Sequence, residues 1–250
     1  MLYSVYFSPT GGTKKVMDCL QSVWDFCEEI DLSDPSLNFS QFHFGSDDLC
    51  LIGVPSFEGR VPPLALQRIS AMKADDTPCV LVTVFGNRDF NDTLLELEDT
   101  VLAIGFKPFA AISAVAHHSI LTQYAVGRPD ADDQAELKDF AAKIKDKAKN
   151  PVAPVAVPGN RPYIVIHVPS AQPLFNADSC IQCGQCAEKC PAQAISHEDY
   201  SIDTARCIHC MRCVSLCPTK ARFLDVDHLQ KLSTLIAKRF EGRKPNRIYL

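Results

Sequence analysis

The sequence predicts an α/β protein in which helices cover both faces of a parallel sheet, followed by a second, smaller domain. Two observations lead to this fold class. In the first 150 residues, short runs of Val, Ile and Leu alternate with amphipathic stretches, as in buried parallel strands joined by helices. Further along, eight of the twelve cysteines lie between residues 180 and 217, which indicates a separate module.

Each element of the first domain is predicted from its own pattern. Apolar runs predict strands at residues 2–7, 49–54, 79–85 and 109–115. Amphipathic periodicity predicts helices at residues 12–26, 63–72, 91–104 and 131–148. Cys50 and Cys79 fall inside two of the apolar strands, so we interpret them as buried small hydrophobic side chains.

A proline-rich segment, residues 150–163, ends the first domain and is interpreted as a linker or strap. The predicted boundaries are 1–150 for the first domain, 151–174 for the linker, 175–223 for the cysteine-rich α+β domain, and 224–250 for a C-terminal helix and tail. No apolar run reaches the roughly 18 residues of a membrane span. The N-terminus also lacks the charged and apolar regions of a secretory signal, which predicts a cytoplasmic protein.

The cysteine-rich domain contains an internal repeat of the motif C-x2-C-x2-C-x3-C-P, and every cysteine of the first run has a counterpart in the second. In such a run, three thiolates converge on one [4Fe–4S] cluster and the fourth ligates the other cluster. We therefore expect one cluster to be bound by Cys180, Cys183, Cys186 and Cys217. The second is expected to be bound by Cys207, Cys210, Cys213 and Cys190.

Other chemistries also use closely spaced cysteines. Structural zinc draws its ligands as separated CxxC pairs and does not need the doubled run. Disulfide frameworks belong to short secreted chains, and redox CxxC chemistry of the thioredoxin kind explains the spacing less well. Over about fifty residues the domain resembles the bacterial two-cluster ferredoxins, which implies electron transfer through two [4Fe–4S] clusters.

A second candidate site follows the first predicted strand and opens the first helix. Its residues are Ser8, Thr10, Gly11, Gly12 and Thr13. Backbone N–H groups, hydroxyls and the positive end of a helix dipole favour phosphate binding there. The loop has neither a Walker A sequence nor GxGxxG. An ordinary capped helix start is the alternative interpretation.

This loop resembles the S/T-x-T-G-x-T phosphate loop of flavodoxins, although Gly12 stands where Asn is common. The resemblance implies a doubly wound, five-stranded parallel sheet in the order 2-1-3-4-5, with FMN at the carboxyl ends of the strands. Phe57 and Phe90 would flank the flavin ring, where Trp or Tyr often stands, or would anchor their own loops. The flavin-ring contacts implied by the resemblance come from Pro55, Ser56, Phe57, Gly86, Asn87, Arg88 and Phe90.

The chain as a whole resembles the flavodoxin–ferredoxin fusion proteins of anaerobic bacteria. This resemblance implies electron transfer between FMN and two clusters, with a redox protein or a small-molecule acceptor as partner. Two alternatives remain open. One is a flavin-dependent reductase with a cavity lined by Arg60, Arg88 and His118. The other is a ferredoxin whose flavodoxin-like half is empty and only docks the ferredoxin half. Arg60 and Arg88 could also be solvated loop residues, and His117 and His118 a plain loop pair.

Nucleic acid is not an expected partner. The basic residues of the second half collect in the C-terminal tail without interleaved aromatic side chains.

Overall fold

The computed structural model describes residues 1–152, 154–166 and 171–250. The first domain contains, in chain order, β1 (Leu2–Tyr6), α1 (Gly12–Gln21), β2 (Glu28–Asp31), β3 (His43–Phe44), β4 (Leu49–Pro55), α2 (Pro63–Ser70), β5 (Lys73–Ala74), β6 (Thr77–Phe85), α3 (Thr93–Ala103), β7 (Phe106–Val115) and α4 (Ala131–Lys147). Then follow β8 (Leu174–Phe175), α5 (Gln185–Glu188), α6 (Arg212–Leu216), β9 (Arg222–Phe223), α7 (Val226–Ile236) and β10 (Arg247–Tyr249). Within the described ranges, no helix is both long and apolar enough to cross a membrane.

The central sheet has six strands in the order β10-β7-β6-β4-β1-β2. Its five parallel strands, numbered along the chain, follow the order 2-1-3-4-5, which confirms the predicted topology. In this topology the chain reverses direction of winding between β1 and β4, and the loops at the carboxyl ends of the two strands separate there.

Helices cover both faces of the sheet. On one face, α1 and α4 pack on a core that includes Val16, Met17 and Leu137. On the other face, the core includes residues of α2 and α3 such as Ile69. The packing is close, because a Cβ added to Gly53 of β4 would overlap the side chain of Met17. Cys50 and Cys79 are fully buried, as expected.

Strand β2 and helix α1 differ from the sequence prediction. Strand β2 has the sequence Glu-Glu-Ile-Asp and only Ile30 is buried, so no apolar run marks it. Helix α1 ends at Gln21 and not at residue 26. There the Ser22 hydroxyl donates to the carbonyl of Cys19, and Trp24 N–H closes a turn on Gln21.

The C-terminal tail supplies the sixth strand, which the sequence prediction missed. β10 pairs antiparallel with β7. Asn246 fixes it: its Oδ1 accepts from Val115 N–H at 2.9 Å, and its Nδ2 donates to Asp133 and Glu136 at 2.9 and 2.7 Å. A three-residue strand is too short to produce a periodic pattern. The tail therefore returns the chain to the first domain after the cysteine-rich module.

The strap is fastened along helix α3. Val155 is buried in the core, and its N–H donates to the carbonyl of Pro108 at 3.2 Å. Nearer the other end, N–H groups of Asn160 and Ile164 donate to the two carboxylate oxygens of Asp92 at 2.8 and 2.6 Å. Pro108 lies at the start of β7, whereas Asp92 precedes α3 at the carboxyl end of β6. The strap thus runs from the amino ends of the parallel strands to their carboxyl ends.

Candidate redox-cofactor sites

Two cavities in the second domain are each lined by four cysteines. The one we call the proximal cavity is lined by Cys190, Cys207, Cys210 and Cys213. The one we call the distal cavity is lined by Cys180, Cys183, Cys186 and Cys217. Each cavity takes three cysteines from one repeat and one from the other. The two groups of four cysteines are the same as the two crossed ligand sets that the motif predicts.

The two repeats fold alike because left-handed backbone residues recur at the same positions. Gln182 and His209 occupy equivalent places in the two runs, and each has φ of 54°. Gly184 and Met211 are likewise equivalent and have φ of 73° and 62°. These residues turn the chain between successive cysteines, so that the first three cysteines of each run line one cavity. Gly184 and Met211 also precede the short helices α5 and α6, which carry the third cysteine of each run.

The cysteines that line each cavity come from the doubled C-x2-C-x2-C-x3-C-P run, which suits a polynuclear cluster. A structural zinc ion would hold four thiolate sulfurs about 2.3 Å from one point. A cluster instead spaces its thiolates around a larger body and accepts hydrogen bonds at sulfur. Such bonds are present at the cysteines: Gln182 N–H lies 3.4 Å from Sγ of Cys180, and Ala194 N–H lies 3.3 Å from Sγ of Cys190.

The loop after β1 is built as an anion site would be. Gly11 is the N-cap of α1 with φ of 86°, and no side chain caps the helix from that position. Ser8 fixes the loop, because its Oγ accepts from Lys14 N–H at 2.8 Å and its own N–H donates to Ser33 Oγ at 2.7 Å. No acidic side chain lies in the first turn of α1. Thr10 is exposed and Thr13 is buried. The positive end of the helix is thus available to a phosphate.

The loop after β4 is a tight turn. Phe57 and Arg60 exchange backbone hydrogen bonds of 2.9 and 3.0 Å, and Gly59 between them has φ of 92°. Phe57 is half-buried. The ring of Phe90, in contrast, packs on the core and lies 5.4 Å from the ring of Phe85. Phe90 therefore anchors its loop, one of the two roles considered for it.

Several other predicted flavin contacts have protein partners. Pro55 pairs with Val84 in the sheet. Ser56 N–H donates to the carbonyl of Val84, and Ser56 Oγ accepts from the Thr93 hydroxyl, both at 2.8 Å. These bonds hold the loop at the strand ends.

Asn87 has a different role from the one expected. Its Nδ2 donates to the carbonyls of Phe240 and Gly242, each at 2.9 Å, and its Oδ1 accepts from Lys244 N–H at 3.1 Å. The buried side chain therefore holds the C-terminal segment. This corrects the assignment of the Asn87 side chain to FMN, because its polar atoms are all engaged.

Two side chains expected to line a reductase cavity also have structural partners. Arg60 forms an ion pair with Glu96 at 2.5 Å, and its guanidinium lies 4.7 Å from the ring centre of Tyr163 in the strap. His118 Nδ1 accepts from Ile120 N–H at 3.1 Å. Burial, and then nearby positive charge, lower the pKa of His118 to about 4, so the ring is neutral near pH 7.

Three further residues considered in the sequence analysis lie at the carboxyl ends of the strands: Gly86, Arg88 and His117. Burial lowers the pKa of Arg88, while Asp89 acts in the opposite direction. A Cβ on Gly86 would collide with the ring of His118, so glycine allows the close approach of the two loops. The exposed His117 ring lies 2.7 Å from the carbonyl of Thr122.

The proximal cavity lies against the first domain at this carboxyl edge. Ile208, which lines the cavity, packs on the core of the first domain. Arg68 donates to the carbonyl of Pro191 at 2.7 Å, and Arg212 donates to the carbonyl of Ser33 at 3.5 Å. Ser33 also contacts Ser8 of the β1 loop, so the cluster module and the candidate phosphate loop share a neighbour.

Comparison with known families decides the identity of the second domain. Residues 179–221 match the 4Fe-4S dicluster domain family. The chain joins a flavodoxin-like domain to a 4Fe–4S dicluster domain. The dicluster domain makes it an electron-transfer protein. No curated protein sequence matches significantly.

Solved structures similar to the chain include oxidised flavodoxin 1 from Bacillus cereus, with 13% identity and a TM-score of 0.42 over 58% of this chain and 97% of that one. A flavodoxin from the domain Archaea has 12% identity and a TM-score of 0.41 over 60% of this chain and 100% of that one. Rubredoxin oxygen:oxidoreductase from the anaerobe Desulfovibrio gigas has 17% identity and a TM-score of 0.44, over 59% of this chain and 36% of its own.

The sequence prediction did not single out three side chains that build these sites. Arg68 and Ile208 connect the dicluster domain to the first domain, and Arg222 lines the distal cavity. Of the three, only Arg222 could have been recognised from the sequence. It breaks the internal repeat, in which the equivalent residue of the first run is Ile195.

Proposed function

We propose that this protein carries electrons between FMN, held at the carboxyl edge of the sheet, and two [4Fe–4S] clusters in the dicluster domain. One observation carries the proposal: the proximal cavity abuts the edge of the first domain where the candidate phosphate loop lies. Redox centres must lie close together to exchange electrons quickly. This position favours transfer within one chain over collision between two independent halves.

The crossed cysteine sets would hold the clusters, one in each cavity. The proximal cluster would be ligated by Cys190, Cys207, Cys210 and Cys213, and the distal cluster by Cys180, Cys183, Cys186 and Cys217. Since each cluster takes one ligand from the opposite repeat, the two halves of the dicluster domain would be locked together. Burial and hydrogen bonds to sulfur would set the potentials.

The first domain would hold FMN by its phosphate. The N–H groups of Gly12 and Thr13, with the hydroxyls of Thr10 and Thr13, would bind the phosphate at the N-terminus of α1. Phe57, half-buried in its turn, remains the candidate to flank the ring. When bound, FMN supplies the exchange between two-electron and one-electron transfer. A redox protein or a small-molecule acceptor would complete the pathway.

The composition of protein purified without oxygen tests this proposal. We expect about eight iron and eight acid-labile sulfide per chain, as two cubane clusters require, together with one FMN. A visible absorption spectrum should show a broad cluster band that bleaches on reduction, superimposed on flavin bands. Zinc without sulfide would refute the cluster assignment, and protein with full iron but no flavin would leave a ferredoxin with an empty first domain.

The phosphate loop can be tested by removing its hydroxyls. Replacing Thr10 and Thr13 together by Val keeps their volume but removes two donors. A hydrogen bond to a charged group contributes about 1.5–3 kcal/mol, and about 1.4 kcal/mol is a factor of ten. FMN affinity, measured by flavin fluorescence quenching, should therefore fall at least about tenfold. The matched control is Thr100→Val, whose hydroxyl bonds its own helix at Glu96. Riboflavin should bind the unaltered protein poorly. Equal affinity for riboflavin and FMN would show that this loop holds no phosphate.

A further inference from the structure

The internal repeat of the dicluster domain is broken by one buried charge. Ile195 follows the first Cys-Pro pair and lines the proximal cavity. The residue at the same position in the second repeat is Arg222, which lines the distal cavity. An apolar side chain at one cavity is thus replaced by a guanidinium at the other.

Arg222 is buried almost completely, with 1% of its surface exposed. Its Nη2 donates to the carbonyl of Tyr200 and lies 3.8 Å from Sγ of Cys186. Nε and Nη1 are buried and have no hydrogen-bond partner among the described residues. A buried donor without an acceptor costs about 1–3 kcal/mol, more for a charged group. Because Arg222 lines the distal cavity, acceptors of a cluster bound there would satisfy these nitrogens.

The charge of Arg222 is also not neutralised by its hydrogen-bond partners in the described part of the chain. The acceptors of its hydrogen bonds are a carbonyl oxygen and a sulfur, and its guanidinium lies 4.3 Å from the ring centre of Phe175. Arg222 therefore stands beside the distal cavity as a buried charge whose hydrogen-bond acceptors are uncharged.

The proximal cavity has its own arginine, in a different setting. Arg212 lines that cavity, and its buried Nε has no partner among the described residues. Its Nη1, however, reaches out to the first domain at Ser33, and its charge acts on the carboxylate of Asp34. Arg212 is also only partly buried. Its effect on a cluster is therefore screened more than that of Arg222.

We propose that Arg222 sets the reduction potential of the distal cluster. Its free N–H groups donate to sulfur, and its charge stabilises the additional electron, because reduction makes a cluster more negative by one charge. This inference rests on the proposed function, since it requires a cluster in the distal cavity. It goes beyond that proposal by naming the side chain that makes the two clusters unequal.

The test is a redox titration of the anaerobically purified holoprotein, with the reduced clusters followed by electron paramagnetic resonance. Arg222→Ile installs the residue of the first repeat, and Arg222→Gln removes the charge while keeping a polar side chain. At the midpoint potential of the unaltered distal cluster, either substitution should lower the ratio of reduced to oxidised cluster at least tenfold. For a one-electron couple this corresponds to about 59 mV. Lys231→Ala on α7 removes the same charge outside the module and should shift neither midpoint.

A variant of Arg212 shows which midpoint potential belongs to which cluster. Arg212→Gln installs the residue that the first repeat has at Gln185, and it should shift the other midpoint. Iron and sulfide are measured on every variant. Eight iron with both midpoints unchanged in Arg222→Ile and Arg222→Gln would overturn the inference and leave the proposed function intact. A purely structural Arg222 would lower the melting temperature without moving a midpoint. Unaltered protein without clusters would instead refute the proposed function.

Discussion

Cys190→Ala is expected to destroy the proximal cluster and to spare the distal one, although Cys190 belongs to the first repeat. The reason is the crossed arrangement, in which Cys190 lines the cavity of the second-repeat cysteines. Removing one of four thiolates opens that cluster to solvent and loss of iron, whereas the other quartet keeps all its ligands. We expect the iron content to fall from about eight to about four per chain.

Alkylation of free thiols followed by peptide mass spectrometry shows which cluster is lost. In Cys190→Ala, the newly reactive cysteines should be Cys207, Cys210 and Cys213. The matched variant is Cys217→Ala, the same position of the second repeat, which should expose Cys180, Cys183 and Cys186 instead. Cys19→Ala, a half-buried cysteine of α1, should change neither the iron content nor the pattern. If Cys190→Ala exposed the cysteines of its own repeat, ligation would be local and the crossed assignment would be wrong.

The sequence predicted most of the fold because buried parallel strands carry a strong signal. β4, β6 and β7 are mostly apolar and nearly fully buried, so composition alone marks them. β2 and β10 are edge strands of four and three residues with few buried side chains. Their position is set by pairing with β1 and β7, a tertiary interaction that local pattern does not record.

Some features of the candidate sites could likewise be predicted from the sequence, and others could not. The cysteine quartets follow from spacing, because the cluster dictates the distance between its ligands. The role of Asn87 could not be predicted, since its partners Phe240, Gly242 and Lys244 lie far along the chain, beyond the dicluster domain. Phe90 is a similar case, because a loop aromatic that packs on the core looks the same in sequence as one that faces a ligand.

The dicluster domain is attached to the first domain by the segments that precede and follow it in the chain. The strap leads into the domain along α3, and β10 returns the chain to the sheet beyond it. The contacts of Arg68 and Ile208 lie between these attachments. A module held at both ends needs only a small interface to keep one orientation, because the entropy of docking is largely removed by the tethers.

Replacing residues 155–164 by a Gly/Ser segment of twice that length should therefore slow electron transfer between flavin and clusters. The change removes buried Val155 and the hydrogen bonds of Asn160 and Ile164 to Asp92. A flexible linker of about 20 residues spans roughly 25 Å on average, so the dicluster domain can leave the edge of the sheet. We expect the rate, measured by stopped-flow absorbance after rapid reduction of the flavin, to fall about tenfold or more.

Both cofactors should stay bound in this variant, since none of their proposed ligands lies in the strap. Transfer should also become sensitive to salt, because charged groups that must re-dock across water are screened within about 10 Å at roughly 0.1 M ionic strength. The control is an insertion of the same added length after Asp47, an exposed residue in the turn before β4, which should leave the rate unchanged. A rate that stays constant across linker lengths and salt concentrations would show that the strap does not govern transfer. In that case the contacts of Arg68, Arg212 and Ile208, together with β10, would be sufficient to hold the proximal cavity at the flavin edge.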